Sequence, residues 1–497
     1  MSEAERKARA ERLAALRAKG IEPYPADATG GTPLVRLADV RARFDAKDAA
    51  ALEADPNEVA VAGRVMAIRS FGKLVFATLR EDGTSLQVSF RKPDLDAATQ
   101  ELLALVDVGD FVRATGAVWR TRTGELTVGA RSLALLAKSL HPMPEKWHGL
   151  ADVEARYRQR YLDLLVNEDA RRIAIVRSRV ISAMRSFLDA RGFLEVETPV
   201  LQPLYGGAHA TPFVTRYEAY DQDVYLRISD ELYLKRLVIG GLDRVYEIGH
   251  NFRNEGVSRK HNPEFTMMEC YQAFADYRDM MELTQSMLQH VVRTVTGGTS
   301  VTFRGQQLEF GGDWPRISIR DAVLERIGID VLAAPDLASL RERVLEKGLD
   351  PGDAPTWGQL VDELFSEHVE PTLVQPTFVT NHPVELSPLA KRSAADPRVV
   401  ERFEPFVAGM EIGNAFSELN DPVDQRVRFE EQRALAAAGD AEAQPFDEDF
   451  LLAMEHGMPP TGGLGVGIDR LVIVLTDAHH IREVLLFPHM RPEESRE

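Results

Sequence analysis

"RVYEIGHNFRNEGVSRKHNPEFTMMECY", residues 244–271, holds two strand-like runs around a long polar loop. Val, Ile, Tyr, Phe and Thr favour a pleated chain at both ends of the stretch. Charged residues also lie inside the runs, where a core would reject them, because unpaired buried charge is costly. These strands are therefore expected to have a working face as well as a packed one.

The surrounding chain supports a sheet of this kind. A helix is expected over 169–191, stopped by Gly192. "FLEVETPVL" (193–201) reads as a strand bent at Pro199, and "VYLRIS" (224–229) and "GMEIGNAFSEL" (409–419) as further strands. Strands in hairpin-like succession, not βαβ units, favour a mostly antiparallel sheet. Upstream, five short runs between residues 59 and 136 are separated by Gly, Asp and Thr turns, which fits a small barrel such as an OB fold. "HPMPEKWHG" (141–149) is proline-rich and reads as linker. Residues 2–19 read as a charged helix with Ser2 and Glu5 as capping box, Leu13 and Leu16 as apolar edge, and Gly20 as stop.

The expected class is α+β: a five-stranded OB barrel plus an antiparallel sheet flanked by helices. The expected segments are a helical extension (1–54), the barrel (55–140), a linker (141–165) and a catalytic domain (166–497).

A chain of 497 residues implies two or three domains. It has no run of about 18 apolar residues and no apolar leader at its start, so a cytoplasmic enzyme is expected. A single cysteine, Cys270, excludes an internal disulfide framework and a cysteine zinc cluster. The net charge of −18 is unevenly spread: residues 1–148 hold 22 basic and 20 acidic side chains, the remainder 37 and 57. Nucleic acid would meet the first part more easily, and the acidic remainder suits a cationic substrate or metal ions.

Two carboxylates, Glu411 and Glu418, are threaded through apolar residues and call for a positive partner. Asn414, Phe416 and Glu418 alternate and would share one strand face, whereas Glu411 would fall on the other unless a bulge or an irregular strand start intervenes. In "GGLGVGIDR" (462–470), Gly463, Gly465 and Gly467 also alternate. They would give a bare backbone face on which a planar ring could lie, followed by Arg470, which could meet phosphate.

Together these words resemble class II aminoacyl-tRNA synthetases. The Phe-Arg-Asn-Glu core at 252–255 resembles motif 2, "FLDARGFLEVETPVL" motif 1 and "GGLGVGIDR" motif 3. "GGAHATPF", "DELYLKRL", "HNPEFTMME", "EIGNAFSELNDP" and "LLFPHMRPE" resemble the lysine enzymes of that class, over about residues 55–492.

The resemblance implies ATP, L-lysine and tRNA(Lys) as substrates, Mg²⁺ as cofactor, and a homodimer built on motif 1. Arg253 and Arg470 would be catalytic. ATP would be held by Arg253, Glu255, His261, Asn262, Phe265, Glu411 and Arg470. The lysine pocket would comprise Gly207, Ala208, Glu231, Glu269, Tyr271, Asn414, Phe416 and Glu418, with Glu411 and Glu418 as metal ligands. On the barrel, Arg69, Phe76 and Gln87 would face the anticodon; Phe76 read from the chain alone could equally be barrel core. Thr211, His250 and Phe416 depart from the usual lysine-enzyme words. Aspartate or asparagine enzymes share the same motifs, a protein-modifying relative would lack the barrel, and a non-catalytic nucleic-acid module would use the barrel alone.

Overall fold

A computed structural model describes residues 3–54, 57–144, 150, 152–437 and 443–492. The chain forms two compact units, Met1–Gly149 and Leu150–Glu497.

In the first unit, five strands close a barrel: Glu58–Phe71, Leu74–Glu81, Thr84–Arg91, Leu126–Ala137 and Phe111–Arg120, in that spatial order. Alternation decides the inside: Val75, Ala77 and Leu79 are buried, while Leu74, Phe76 and Thr78 are only half-buried on the other face. A helix not foreseen from the sequence, Ala97–Leu105, follows the third strand, and the Asp96 carboxylate caps it by accepting from Thr99 N.

The first helix, Glu3–Ala18, is less solvated than its charge suggests. Leu16 is buried with the barrel core, as are Leu37, Val40 and Phe44 of the second helix, Leu37–Phe44. Arg9 is also buried; its guanidinium donates to the carbonyls of Val108 and Ser139. The expected cap at Ser2 lies outside the described residues.

The second unit is built on one large sheet. Its spatial order is Arg316–Ser318, Thr377–Thr380, Arg402–Val407, Gly413–Ser417, Thr461–Gly467, Glu264–Ala273, Arg244–Phe252 and Leu194–Glu195. The two outermost pairings are parallel and all those between them antiparallel. One face carries Tyr246, Met268, Cys270, Leu464, Val466 and Ala415 into the main core. Helices Glu168–Asp189, Tyr277–Thr296 and Ile468–Thr476 supply the other side of that core. Helix Tyr277–Thr296 shows how the sequence dictates this: Asp276 and Asp279 form its capping box, Met280, Met287, Leu288 and Val291 make one buried stripe, and Gly297 ends it in a left-handed turn.

Two expected strands and the expected linker differ in detail. In 193–201 only Leu194–Glu195 and the start of Leu201–Gln202 join ladders. Between them Thr198 turns its N–H and hydroxyl to Glu247 Oε2, and Pro199 has no N–H to offer. Strand 409–419 is split into Met410–Glu411 and Gly413–Ser417. Part of the expected linker holds two helices, Val153–Arg158 and Arg160–Val166, anchored by the buried Arg160, which donates to the carbonyls of Leu486, Arg482 and Leu485. Residues 145–149 and 151 of that linker lie outside the described residues.

Candidate active site

The polar face of the large sheet is laid out by register. Glu247 pairs with Glu269, Glu269 with Gly465 and Gly465 with Asn414. The next row on this face runs Tyr271, Gly463, Phe416, Arg402. Glycines in the middle strand thus separate large polar side chains on its neighbours. This face floors a cavity of about 1350 Å³. All the residues expected to bind ATP or amino acid line it, including Gly207, Ala208, Glu255, Asn262 and Phe265.

A bulge resolves the position of Glu411. The hairpin Val407–Met410 turns through Ala408 (φ 53°) and Gly409 (φ 67°), a two-residue connection suited to strand twist. Phe406 faces Glu411, whereas Phe403 faces Ala415 and Arg402 faces Phe416. The later strand therefore carries one residue more than a straight ladder allows, at Ile412, whose N–H reaches Pro405 O at 2.9 Å. One extra residue reverses the alternation. Glu411 consequently shares the polar face with Asn414, Phe416 and Glu418.

At one end of the cavity are two arginines. Arg470, on helix Ile468–Thr476, donates to Glu411 Oε2 and to its carbonyl, both at 2.9 Å, and lies 3.1 Å from His261 Nε2. Burial would raise the Glu411 carboxyl, but Arg470, joined by Arg402 and Arg253, outweighs it and holds the group below its usual value. His261 is pushed down to about 4 by burial, with Arg470 and Lys260 adding repulsion, so it is a neutral imidazole near pH 7. Arg253 follows the strand end, its guanidinium 5.0 Å from the Phe265 ring centre, and its Nε has no hydrogen-bond partner. Asn262 donates to Glu264 O at 2.7 Å, while its own Oδ1 is buried without a partner. These unsatisfied polar atoms mark places where a ligand's groups would be met.

At the other end are buried carboxylates. Glu269 accepts from Ser229 Oγ at 2.9 Å and Tyr271 Oη at 3.2 Å. Burial, then the neighbouring Glu231, pushes its carboxyl up to about 7. Glu231 opens helix Glu231–Ile239 against Gly207, where a Cβ would approach Glu231 Cβ to 2.9 Å. Glu418 is buried, and burial pushes its carboxyl well up while Lys235 pulls it back. Lys235 Nζ lies in close contact with Glu418 Oε2.

Several site residues were not anticipated from the chain. Lys235 lies in "DELYLKRL", and its i,i+4 spacing from Glu231 is a visible signal of their pairing. Arg402 donates to Asn414 Oδ1 at 2.8 Å and so fixes that amide. Arg227, a lone charge in an apolar run, is buried against Glu247 Oε1 at 2.6 Å and Asp230 at 3.1 Å. The glycine strand also differs from its expected role in part: a Cβ on Gly463 would lie 1.9 Å from Glu418 Oε1, so that space belongs to the carboxylate. Gly467 is open, with nothing nearer than 3.9 Å to such a Cβ. Among the departures, Phe416 lies 5.4 Å from Lys235 Nζ, His250 contacts Glu264 at 2.7 Å, and Thr211 O accepts from Asn254 N.

On the barrel, Arg69 is directly opposite Phe76 across two strands. Phe76 is on the outer face, and the exposed Phe71, absent from the expected anticodon set, meets it edge-on at 6.2 Å. Gln87 is half-buried and donates to Thr127 Oγ1 at 2.9 Å.

Residues 152–491 match the family of class II tRNA synthetases (D, K and N). The chain belongs to that family. Residues 59–136 match the OB-fold nucleic acid binding domain. The synthetase is 52% identical over 488 residues to a lysine–tRNA ligase of Dehalococcoides mccartyi, covering 98% of this chain and 97% of that one. It is 53% identical to that of Roseiflexus castenholzii, with 98% of each chain covered. It is 54% identical to that of Chloroflexus aurantiacus over 97% of each. Among the described residues of this synthetase, no helix is long and apolar enough to cross a membrane.

Proposed function

We propose that this synthetase is a lysine–tRNA ligase. The observation that carries the reading is the set of three buried carboxylates, Glu231, Glu269 and Glu418, at one end of a cavity whose other end holds Arg253 and Arg470. An aspartate or asparagine enzyme would need basic groups where these acids stand. Lysine would place its ε-ammonium at Glu418 and its α-ammonium between Glu231 and Glu269. Its carboxylate would lie at Arg253, whose planar fork also suits the α-phosphate of ATP. A carboxylate oxygen attacks the α-phosphorus and the bond to pyrophosphate breaks, leaving lysyl-adenylate. The terminal ribose hydroxyl of tRNA(Lys) then attacks the lysyl carbonyl and releases AMP. The protein supplies alignment and charge neutralisation, not a nucleophile. Amino-acid-dependent ATP–pyrophosphate exchange, scanned over the common amino acids, tests the assignment; faster exchange with any amino acid other than lysine would overturn it.

The donor set fits Mg²⁺ in part. Glu418 Oε1 is buried without a hydrogen-bond partner, and Glu411 lies on the same face. Two carboxylates are what a Mg²⁺ takes from protein when phosphates and water complete its shell. Bound there, the ion would offset phosphate charge. No group of three or more His, Cys, Asp or Glu placed to hold a metal occurs among the described residues, so these two would share the ion with ATP.

Lysine binding should follow the Glu269 charge. With its carboxyl up at about 7, the group is neutral below that pH and anionic above it. The KM for lysine is expected to fall as pH rises from 6 to 8 and then level off. A Glu269→Gln variant should lose this dependence and keep a high KM throughout. An equal pH slope in both proteins would remove Glu269 from the α-ammonium site.

The barrel would read the anticodon of tRNA(Lys) through Phe76, with Arg69 at the adjacent phosphate or base and Gln87 on the next strand. Phe76→Ala is expected to lose about 1–3 kcal/mol of tRNA interaction through lost stacking. Pyrophosphate exchange, which needs no tRNA, should stay at the wild-type rate. Unchanged charging of tRNA would refute this role.

We also infer a homodimer. Leu194, Val200 and Leu201 are exposed apolar side chains in the segment resembling motif 1, which suits a self-complementary interface. Sedimentation should give twice the chain mass; a fully active monomer would exclude it.

A further inference from the structure

Lys235 is an internal ammonium at the heart of the carboxylate cluster. It lies on the second turn of helix Glu231–Ile239, with no exposed surface. Its Nζ contacts Glu231 Oε1 at 2.5 Å and Glu418 Oε2 more closely still, with the Phe416 ring centre 5.4 Å away. Burial would strip its proton, but the two carboxylates outweigh that and hold it charged.

The geometry of the cluster has two consequences. First, one cation ties together carboxylates that the proposed reading assigns to opposite ends of the substrate, Glu231 at the α-ammonium and Glu418 at the ε-ammonium. Second, it bears on the charge balance. Glu231, Glu269 and Glu418 are three buried acids, and among the described residues Lys235 is the one base in contact with two of them. Arg227 is engaged elsewhere, with Asp230 and Glu247. Removing Lys235 would take one positive charge from directly beside Glu231 and Glu418. The Glu418 Oε1 atom, buried with no partner, is consistent with a carboxylate spanning an internal ammonium on one oxygen and a ligand on the other.

We propose that Lys235 is a positioning and specificity-determining residue: it pins Glu231 and Glu418 where each meets an ammonium group of the substrate. This rests on the lysine reading above. Lys235 does not line the cavity, so its loss should act chiefly on amino-acid binding, through Glu231 and Glu418.

The test uses the full chain with Lys235→Met and Lys235→Ala, checked for folding by thermal melting and assayed by lysine-dependent pyrophosphate exchange. The KM for lysine is expected to rise tenfold or more, while the KM for ATP stays within twofold. Ethylammonium should bring the lysine KM of the Ala variant back toward wild type, and ethanol at equal concentration should not. A folded variant with unchanged lysine KM, or equal rescue by ethanol, would overturn the proposal, since the latter would make Lys235 a volume filler. If neither variant folds, Lys235→Gln decides by the same two KM values, because its amide keeps donors toward the carboxylates. Wild-type protein that exchanges with an amino acid other than lysine would instead defeat the underlying assignment, so the two failures are distinguishable.

Discussion

Replacing Glu418 with glutamine is expected to lower kcat/KM for lysine by about 2–5 kcal/mol, the cost of truncating one partner of a desolvated charge pair. The side chain is 1% exposed, so water cannot substitute for the lost charge. Glutamine has nearly the same shape, which keeps the packing against Gly463 and Tyr271 and confines the change to charge. Lys235 would retain Glu231 as its partner, so the helix should stay in place. The substrate's ε-ammonium and Lys235 would then compete for the one oxygen of a neutral amide, whose NH₂ group cannot meet a cation. The KM for lysine should rise further than the KM for ATP, which should change only through the Mg²⁺ that Glu418 is proposed to share with ATP. Exchange kinetics over a range of lysine concentrations check this. Near-wild-type lysine kinetics in Glu418→Gln would refute the placement of the ε-ammonium there.

The sequence made one half of this site legible and hid the other, for definite reasons. Alternation correctly put Asn414, Phe416 and Glu418 on one face, because Gly413–Ser417 is a regular strand paired on both sides. It could not place Glu411, because a bulge is a one-residue change of register set by the partner strand. Nothing in "GMEIGNAF" says that Phe406 will face Glu411 while Phe403 faces Ala415. The expected positive partners of Glu418 are a substrate ammonium and a metal ion, yet Lys235 meets it first. Its pairing with Glu231 is local and readable, whereas its contact with Glu418 depends on how a helix is laid across a sheet. Phe76 was readable in principle: Val75, Ala77 and Leu79 already occupy the inward positions of its strand. Arg9 was not, since a charged helix with two leucines gives no sign that an arginine will be buried by two distant carbonyls.

The glycine strand supports the second large effect. Gly463→Ala would introduce a methyl group 1.9 Å from Glu418 Oε1 and 2.7 Å from the Tyr271 ring. Neither neighbour can yield easily: Glu418 is held by Lys235, and Tyr271 is buried and bonded to Glu269. Overpacking of this kind costs about 1–3 kcal/mol, and here the displaced atoms are the ones proposed to meet the amino acid. The expected result is a loss of about 2–3 kcal/mol in kcat/KM for lysine, within that range. Gly467→Ala is the internal comparison, because its methyl group would meet nothing nearer than 3.9 Å. It lies beside Arg470, at the proposed nucleotide end, so any change it causes should fall on ATP and leave the lysine KM within twofold. Steady-state exchange with each substrate varied in turn separates the two variants. If Gly463→Ala raised only the KM for ATP, the bare strand would be an adenine platform along its whole length, and the room at Gly463 would not be reserved for Glu418.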